Sequence, residues 1–214
     1  MKGSRLKVFS IVAISLILIA GVLAYSASTA RANAVNDKLA FHDGMRKLWE
    51  DHITWTRLFI VSAVSDLPDK DATTQRLLQN QVDIGNAIKP FYGDAAGNQL
   101  TALLRVHILT AAEVLDDAKR GDKAAFADAS ARWYANANDI AAFLNSANPK
   151  DWPLDEMQMM MKSHLDLTLA EASARLSGDY GADIAAYDKV HGQILGMADM
   201  LSTGIIRQFP SQFK

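Results

Sequence analysis

The 214-residue sequence contains no cysteine, which excludes disulfide bonds, thiolate metal sites and cysteine nucleophiles. It has no excess of basic charge, because 22 Lys and Arg residues face 24 Asp and Glu residues. No basic stripe runs along the chain, so nothing favours a nucleic acid as partner. A glycine-rich phosphate loop and a nucleophile-elbow serine are also missing. These absences leave no common catalytic constellation and favour a binding or structural role over an enzyme.

The N-terminus carries the longest apolar run. The basic segment "MKGSRLK" is followed by "VFSIVAISLILIAGVLAYS" at residues 8–26, and no charged residue occurs from position 8 to position 30. About 20 such residues, rising ~1.5 Å each, match the hydrocarbon core of a bilayer. The pattern therefore predicts a transmembrane signal anchor, with Lys2, Arg5 and Lys7 on the cytoplasmic side.

A cleaved signal peptide is the alternative, because Ala30-Arg31-Ala32 is a possible small-residue cleavage site. The apolar region of a signal peptide is usually shorter, at about 7–15 residues. In both cases residues 1–32 form the targeting segment, and residues 33–214 form a domain outside the cytoplasm. The membrane is then contacted through the N-terminal helix, unless cleavage releases the protein. The sequence identifies no protein partner.

The rest of the chain shows helix-length blocks and no strand-like alternation. Three Gly-Asp pairs, at positions 93–94, 121–122 and 178–179, join a residue that ends helices to one that caps the next helix. Short connections of this kind place neighbouring helices antiparallel. The sequence predicts an all-α, up-down antiparallel bundle of about six helices, at residues 36–65, 71–91, 95–119, 123–145, 153–176 and 180–207.

A weak internal repeat divides these helices into three helical hairpins. The segments "RLLQNQVDIGNAI" (76–88) and "RWYANANDIAAFL" (132–144) share the pattern R-x-x-x-N-x-x-D-I. The first helix of each hairpin carries a histidine, and the second carries Asn or His at a matching position. The matching residues are His52, His107 and His164, followed by Asn80, Asn136 and His191.

Each predicted helix has an apolar stripe that is interrupted near its middle by His or Asn. On the first helix, His52 shares a face with Trp49, Thr56 and Phe59, at spacings of three and four residues. All six interruptions lie about 20 Å from the nearest turn. We therefore predict a buried polar layer, or two smaller clusters, made of His52, His107, His164, His191, Asn80 and Asn136, with Thr56, Thr110 and Thr168 nearby.

Such a layer has two main interpretations. A bundle core can hold a transition metal, here Zn, Fe or Cu, with His52, His107, His164 and His191 as ligands and Glu171 or Glu113 assisting. The methionines of "DEMQMMMKSH" (155–164) would suit Cu(I) in particular, although such runs also fill cores. The alternative is a non-catalytic structural, sensor or interaction module, in which hydrogen bonds within the layer fix the register of the helices.

Four segments resemble a bacterial family of small all-helical proteins without an established function. They are "LWEDHITWTRLFI", "RLLQNQVDIGNAIKPFYG", "RWYANANDIAAFL" and "VHGQILGMADMLSTGIIRQF". The resemblance covers about residues 42–210 and implies a helical fold and a bacterial source. Many relatives look cytoplasmic and have no leader, so the prediction of the outer side of a bacterial cytoplasmic membrane rests on the N-terminal apolar run and departs from them. Members have carried labels such as acetylglutamate kinase or glycosyltransferase. Neither activity fits, because both need a nucleotide site that usually lies on an α/β sheet with glycine-rich loops.

Overall fold

The computed structural model describes the backbone of residues 4–213 and the side chains of residues 31–213. This part of the chain is all-helical and contains no strand, which confirms the predicted all-α class. The elements are α1 (Ser4–Val64), α2 (Lys70–Arg120), α3 (Lys123–Ala147), α4 (Leu154–Leu176), α5 (Tyr180–Gln208) and a 3₁₀ turn at Pro210–Gln212.

In the described residues five helices stand where the sequence predicts six, because two of the predicted helices follow each other in α2 without a loop at the first Gly-Asp pair. Gly93 leaves the helical conformation, with φ 81° and ψ 168°, and the helix resumes directly after it. The residue therefore bends α2 into a first arm (residues 70–92) and a second arm (residues 94–120) without a connecting loop. These arms correspond to the predicted helices 71–91 and 95–119.

The other two Gly-Asp pairs end and begin helices as predicted. Gly121 adopts a left-handed conformation with φ 71°, which closes the end of α2, and the Asp122 side chain accepts a hydrogen bond from the Ala125 backbone N–H. At the second pair, Gly178 has φ 76° and Asp179 caps the Ala182 N–H at 3.0 Å. These local signals are readable from sequence because neither depends on distant contacts.

The helices pack into a bundle between α2 and α3, α3 and α4, and α4 and α5. Its centre is apolar: Ile84, Ala141, Leu165 and Ile194 are 0% exposed. Burial of such side chains, at roughly 25 cal/mol per Å² of apolar surface, is the main force that holds the helices together. The amphipathic pattern therefore accounts for the packing as well as for the helices.

The chain divides into two compact units. Residues His42–Gln208 form the helical bundle, and Met1–Phe41 with Phe209–Lys214 form the other unit. Among the described residues, no helix is both long and apolar enough to span a bilayer. The apolar run at residues 8–26 lies outside the residues whose side chains are described. The anchor, the cleavage site and the location outside the cytoplasm therefore stay predictions.

Close approach of the two α2 arms depends on a glycine. A Cβ on Gly85 would lie 2.5 Å from the carbonyl oxygen of Gly97 and would also overlap the Thr101 hydroxyl. We expect Gly85→Ala to lower the free energy of unfolding by about 1–3 kcal/mol, because the arms must move apart. Gly196→Ala is the matched control, since nothing lies within 4 Å of a Cβ there. Urea unfolding followed by circular dichroism measures both, and equal effects would refute the packing argument.

A candidate site in a buried histidine layer

Three of the predicted histidines meet inside the bundle. His52 on α1, His107 on the second arm of α2 and His164 on α4 are only 3%, 3% and 5% exposed. The ring centroid of His164 lies 5.7 Å from that of His52 and 6.5 Å from that of His107. We refer to His52, His107 and His164 as the histidine layer. The prediction of a shared buried layer thus holds for these three residues.

Two of the imidazoles are each held by a carboxamide side chain, with the same pair of hydrogen bonds. His107 Nδ1 donates to Asn136 Oδ1 at 3.0 Å, and the Asn136 amide donates to the carbonyl of Leu103 at 3.2 Å. His164 Nδ1 donates to Gln193 Oε1 at 3.0 Å, and the Gln193 amide donates to the carbonyl of Met160 at 3.2 Å. In both copies the amide lies 29 residues after the histidine.

The first copy differs, because an amide nitrogen rather than an amide oxygen faces the ring. Asn80 donates to the carbonyl of Leu48 at 3.0 Å, and Gln81 Nε2 lies 3.3 Å from His52 Nδ1. Gln81 Nε2 also donates to Leu77 O and Asn80 Oδ1, at 2.8 and 3.2 Å. The weak repeat of the sequence therefore places a carboxamide 29 residues after each histidine, and two of the three copies share the same hydrogen bonds. Gln81 and Gln193 do not follow from the sequence pattern, because the repeat aligns Asn80, Asn136 and His191 instead.

His191 lies outside the histidine layer. Its Nε2 is 3.0 Å from Glu50 Oε1, and its side chain is 39% exposed. The buried face of α5 runs through Val190 and Ile194, at 2% and 0% exposure, so the adjacent His191 projects to the side. The prediction that His191 lies on the core stripe of α5 is therefore wrong. The neighbouring Val190 is the buried residue, and Gln193 is the α5 side chain that bonds to His164.

Glu171 is buried, but an arginine engages it. Arg57 Nη1 donates to Glu171 Oε1 and to Asp183 Oδ1, both at 2.7 Å, and Arg175 Nη1 lies 3.5 Å from Asp183 Oδ2. The guanidinium of Arg57 also stacks on the Tyr187 ring at 4.7 Å. Burial raises the pKa of Glu171 to about 7, although Arg57 acts in the opposite direction. Glu171 is therefore committed to an ion pair and does not assist the layer.

The remaining predicted helpers also have other partners. The hydroxyls of Thr56 and Thr168 donate to the carbonyls of His52 and His164, at 2.8 and 2.9 Å, one turn back on their own helices. Thr110 likewise donates to the carbonyl of Val106 at 2.8 Å. These bonds support the backbone rather than the imidazole rings. At the surface, Glu113 pairs with Arg132, and in the methionine segment Met157 and Met161 are core residues at 1% and 5% exposure.

All three imidazoles are neutral at pH 7. Burial lowers the pKa of His164 to about 4, and burial together with the nearby His164 lowers the pKa of His107 to about 3. Burial and the two neighbouring imidazoles also hold the pKa of His52 well below its ordinary value. A neutral imidazole with its proton on Nδ1 has a lone pair on Nε2. Among the described residues, none donates a hydrogen bond to Nε2 of His107 or His164.

Further polar atoms around the layer lack partners. Trp49 lies 5.7 Å from His52 and Trp133 lies 5.5 Å from His107, between ring centroids. In the described part of the chain, neither indole N–H has a hydrogen-bond acceptor, and Gln81 Oε1 has no donor. Unsatisfied buried polar groups are rare because each costs on the order of 1–3 kcal/mol. The layer thus has unused hydrogen-bonding and ligating capacity.

The arrangement of the rings is somewhat wider than a metal centre. Three imidazoles on one ion, with metal–nitrogen distances of ~2.0–2.1 Å, have centroids roughly 5 Å apart. The two distances here are 5.7 and 6.5 Å. Within residues 31–213, no group of three or more His, Cys, Asp or Glu side chains is arranged to hold a metal ion.

Comparison with known proteins yields no relative. No protein-family model matches the chain, no curated protein matches it, and no solved structure matches it. The resemblance to a bacterial helical family therefore stays a prediction.

Proposed function

We propose that the histidine layer binds a transition metal ion, Zn, Fe or Cu, through one nitrogen each of His52, His107 and His164. The protein that carries it would be a bundle of three helical hairpins outside the cytoplasm, anchored or exported by residues 1–32. The observation that carries the proposal is the free Nε2 of two buried, neutral imidazoles. Neutral imidazole is the form that binds metals, and the deprotonated nitrogen is the ligating atom.

The carboxamides support the same proposal. A metal-binding histidine almost always donates its other N–H to a carbonyl or carboxylate oxygen, which sets the tautomer and the ring orientation. Asn136 and Gln193 do this for His107 and His164 at 3.0 Å each. Binding would require the rings to close by about 1 Å, from the present centroid distances to the ~5 Å of a metal centre. His191 and Glu171 are not part of the proposed ligand set.

A structural role is the second candidate. It is favoured by the hydrogen bonds that the carboxamides donate to backbone carbonyls. Asn136 accepts from a ring and donates to a backbone carbonyl on the same arm, so one side chain of α3 fixes the register of α2. Gln193 of α5 does the same for α4. A module of this kind would use the layer to specify helix pairing rather than to bind a ligand.

Metal titration of the purified protein tests the proposal. We expect one equivalent of Zn²⁺, Cu²⁺ or Fe²⁺ to remain after desalting, as measured by elemental analysis. His164→Gln should abolish retention, and Asn136→Ala should weaken metal affinity about 10–100-fold. His191→Gln is the matched control and should retain the metal. A protein that retains none of the three ions, or equal loss in the His191 variant, would reject metal binding and leave the structural role.

A further inference from the structure

A second site lies on the outside of α2, between its two arms. The arms border an open groove of about 460 Å³, within the range of roughly 300–1,000 Å³ that small-molecule sites occupy. The groove belongs to the bundle, and none of its lining residues is one of the three imidazoles of the histidine layer. The lining residues that matter for its chemistry are Asn86, Lys89, Asn98, Arg105, Val106 and Leu109.

The groove is built by the bend in α2. The positive φ of Gly93 turns the second arm back along the first, and the absence of side chains at Gly85 and Gly97 lets the arms touch. The stem of Lys89 lies across Gly97, with its Cε 3.0 Å from where a Cβ would be. Lys89 is therefore half-buried and held across the junction of the arms.

The groove carries two positive side chains, and no acidic residue that lines it balances them. In the described part of the chain, neither Lys89 nor Arg105 forms an ion pair, and no Asp or Glu lines the groove. The chain as a whole carries a net charge of -2, so this local excess of two positive charges is a departure from its average. Asn86 and Asn98 add uncharged amide donors beside the two cations.

An apolar surface adjoins these charges. Val106 and Leu109 lie one turn apart on one helix face and are 50% and 47% exposed. Two cations, two amides and an aliphatic strip together complement an anion that carries a hydrocarbon tail. Because Lys89 is half-buried between the arms, a slender headgroup fits better than the flat surface of a bilayer.

We propose that the groove binds a free medium-chain fatty acid. Its carboxylate would lie between Lys89 and Arg105, where charge-assisted hydrogen bonds are strongest, and its chain would cover Val106 and Leu109. The Asn86 and Asn98 carboxamides would donate to the remaining carboxylate lone pairs. This site is independent of the metal proposal, because the two share no residue.

Calorimetric titration of the full-length protein with dodecanoate, below its micelle concentration, tests the proposal. We expect saturable one-to-one binding that weakens at least about tenfold in Arg105→Glu and in Lys89→Ala. Leu109→Asn should weaken dodecanoate and leave any binding of acetate unchanged. Lys123→Ala, at an exposed lysine outside the groove, is the matched control and should bind as the parent does.

Two further probes separate the alternatives. Dodecanol should bind at least about tenfold more weakly than dodecanoate, because it lacks the charge. Vesicles with 30% anionic phospholipid and inorganic phosphate are tested beside them. Binding to vesicles or to phosphate without binding to dodecanoate would overturn the proposal, as would equal weakening by Lys123→Ala. Circular dichroism of each variant shows that the fold is retained.

Discussion

Arg57→Ala is expected to lower the free energy of unfolding by about 3–5 kcal/mol at pH 9, where Glu171 of the parent protein is ionised, the largest single-residue effect that we predict. The arginine bonds to two carboxylates, those of Glu171 and Asp183, whose side chains are each only 2% exposed. At a pH well above the pKa of Glu171, removal of Arg57 leaves buried negative charge that water cannot reach. Arg175 still lies 3.5 Å from Asp183, so the loss falls mainly on Glu171.

Urea unfolding at several pH values measures this effect. The penalty for Arg57→Ala should shrink between pH 9 and pH 6, because Glu171, with a pKa raised to about 7 by burial, takes up a proton and loses its charge. Arg132→Ala is the matched control, since that arginine also bonds to two carboxylates but at the surface. We expect no measurable loss there. A penalty for Arg57→Ala that is equally small would show that the buried ion pair contributes no net stability.

The second large effect is a loss of stability in acid. The folded protein holds His52, His107 and His164 neutral because burial lowers the pKa of each, to about 3 for His107 and about 4 for His164. The unfolded chain protonates the same residues near pH 6.5. Their contribution to stability is therefore complete above pH 6.5 and is lost as the pH falls toward 4, by about 1.4 kcal/mol per pH unit for each residue.

Glu171 acts in the opposite direction over part of this window. Its folded pKa of about 7 lies above the ordinary value of 4.5, so the folded state binds the extra proton between these pH values. Three histidines and one opposing glutamate leave a net slope of about 3 kcal/mol per pH unit between pH 6.5 and pH 4.5. Metal-free protein should therefore unfold cooperatively in mild acid.

Variants with one titrating group removed test the slope in both directions. His107→Gln should reduce it to about 1.4 kcal/mol per pH unit, and Glu171→Gln should raise it to about 4. His191→Gln removes a surface histidine beside Glu50 and serves as the control, with the slope of the parent protein. The measurement is the urea midpoint between pH 7.5 and pH 4.5. An unchanged slope in His107→Gln would mean that its imidazole titrates as in water.

Local features of the fold were predictable from sequence, and long-range ones were not. The caps at Asp122 and Asp179 depend on neighbouring residues only, so the turns beside them were placed correctly. The pair at Gly93 also breaks the helix, and the second arm of α2 follows the first without a loop. Contact between the arms at Gly85 and Gly97 was not predictable, because it depends on how the two arms pack.

The same distinction separates the correct and the wrong parts of the site. His52, His107 and His164 share faces with apolar neighbours, so periodicity found them. On α5, a stripe through Ile184 places His191 in the core, but Ile184 is 56% exposed and the charged Asp183 is 1% exposed. Burial of Asp183 is explained by its ion pairs with Arg57, which is 126 residues away in sequence, and with Arg175. The spacing of apolar residues along a helix contains no information about an ion pair between residues so far apart.

The separation of 29 residues between each histidine and its carboxamide has a consequence for the order of folding. The entropy cost of closing a loop grows with its length, so contacts between neighbouring helices form at lower cost than contacts across the chain. Each imidazole can thus acquire its amide, its tautomer and its helix partner within a single hairpin. The rings of His52 and His164, which are far apart in sequence, meet only when the hairpins dock. The histidine layer is therefore expected to form last, when hairpins whose internal hydrogen bonds are already made pack together.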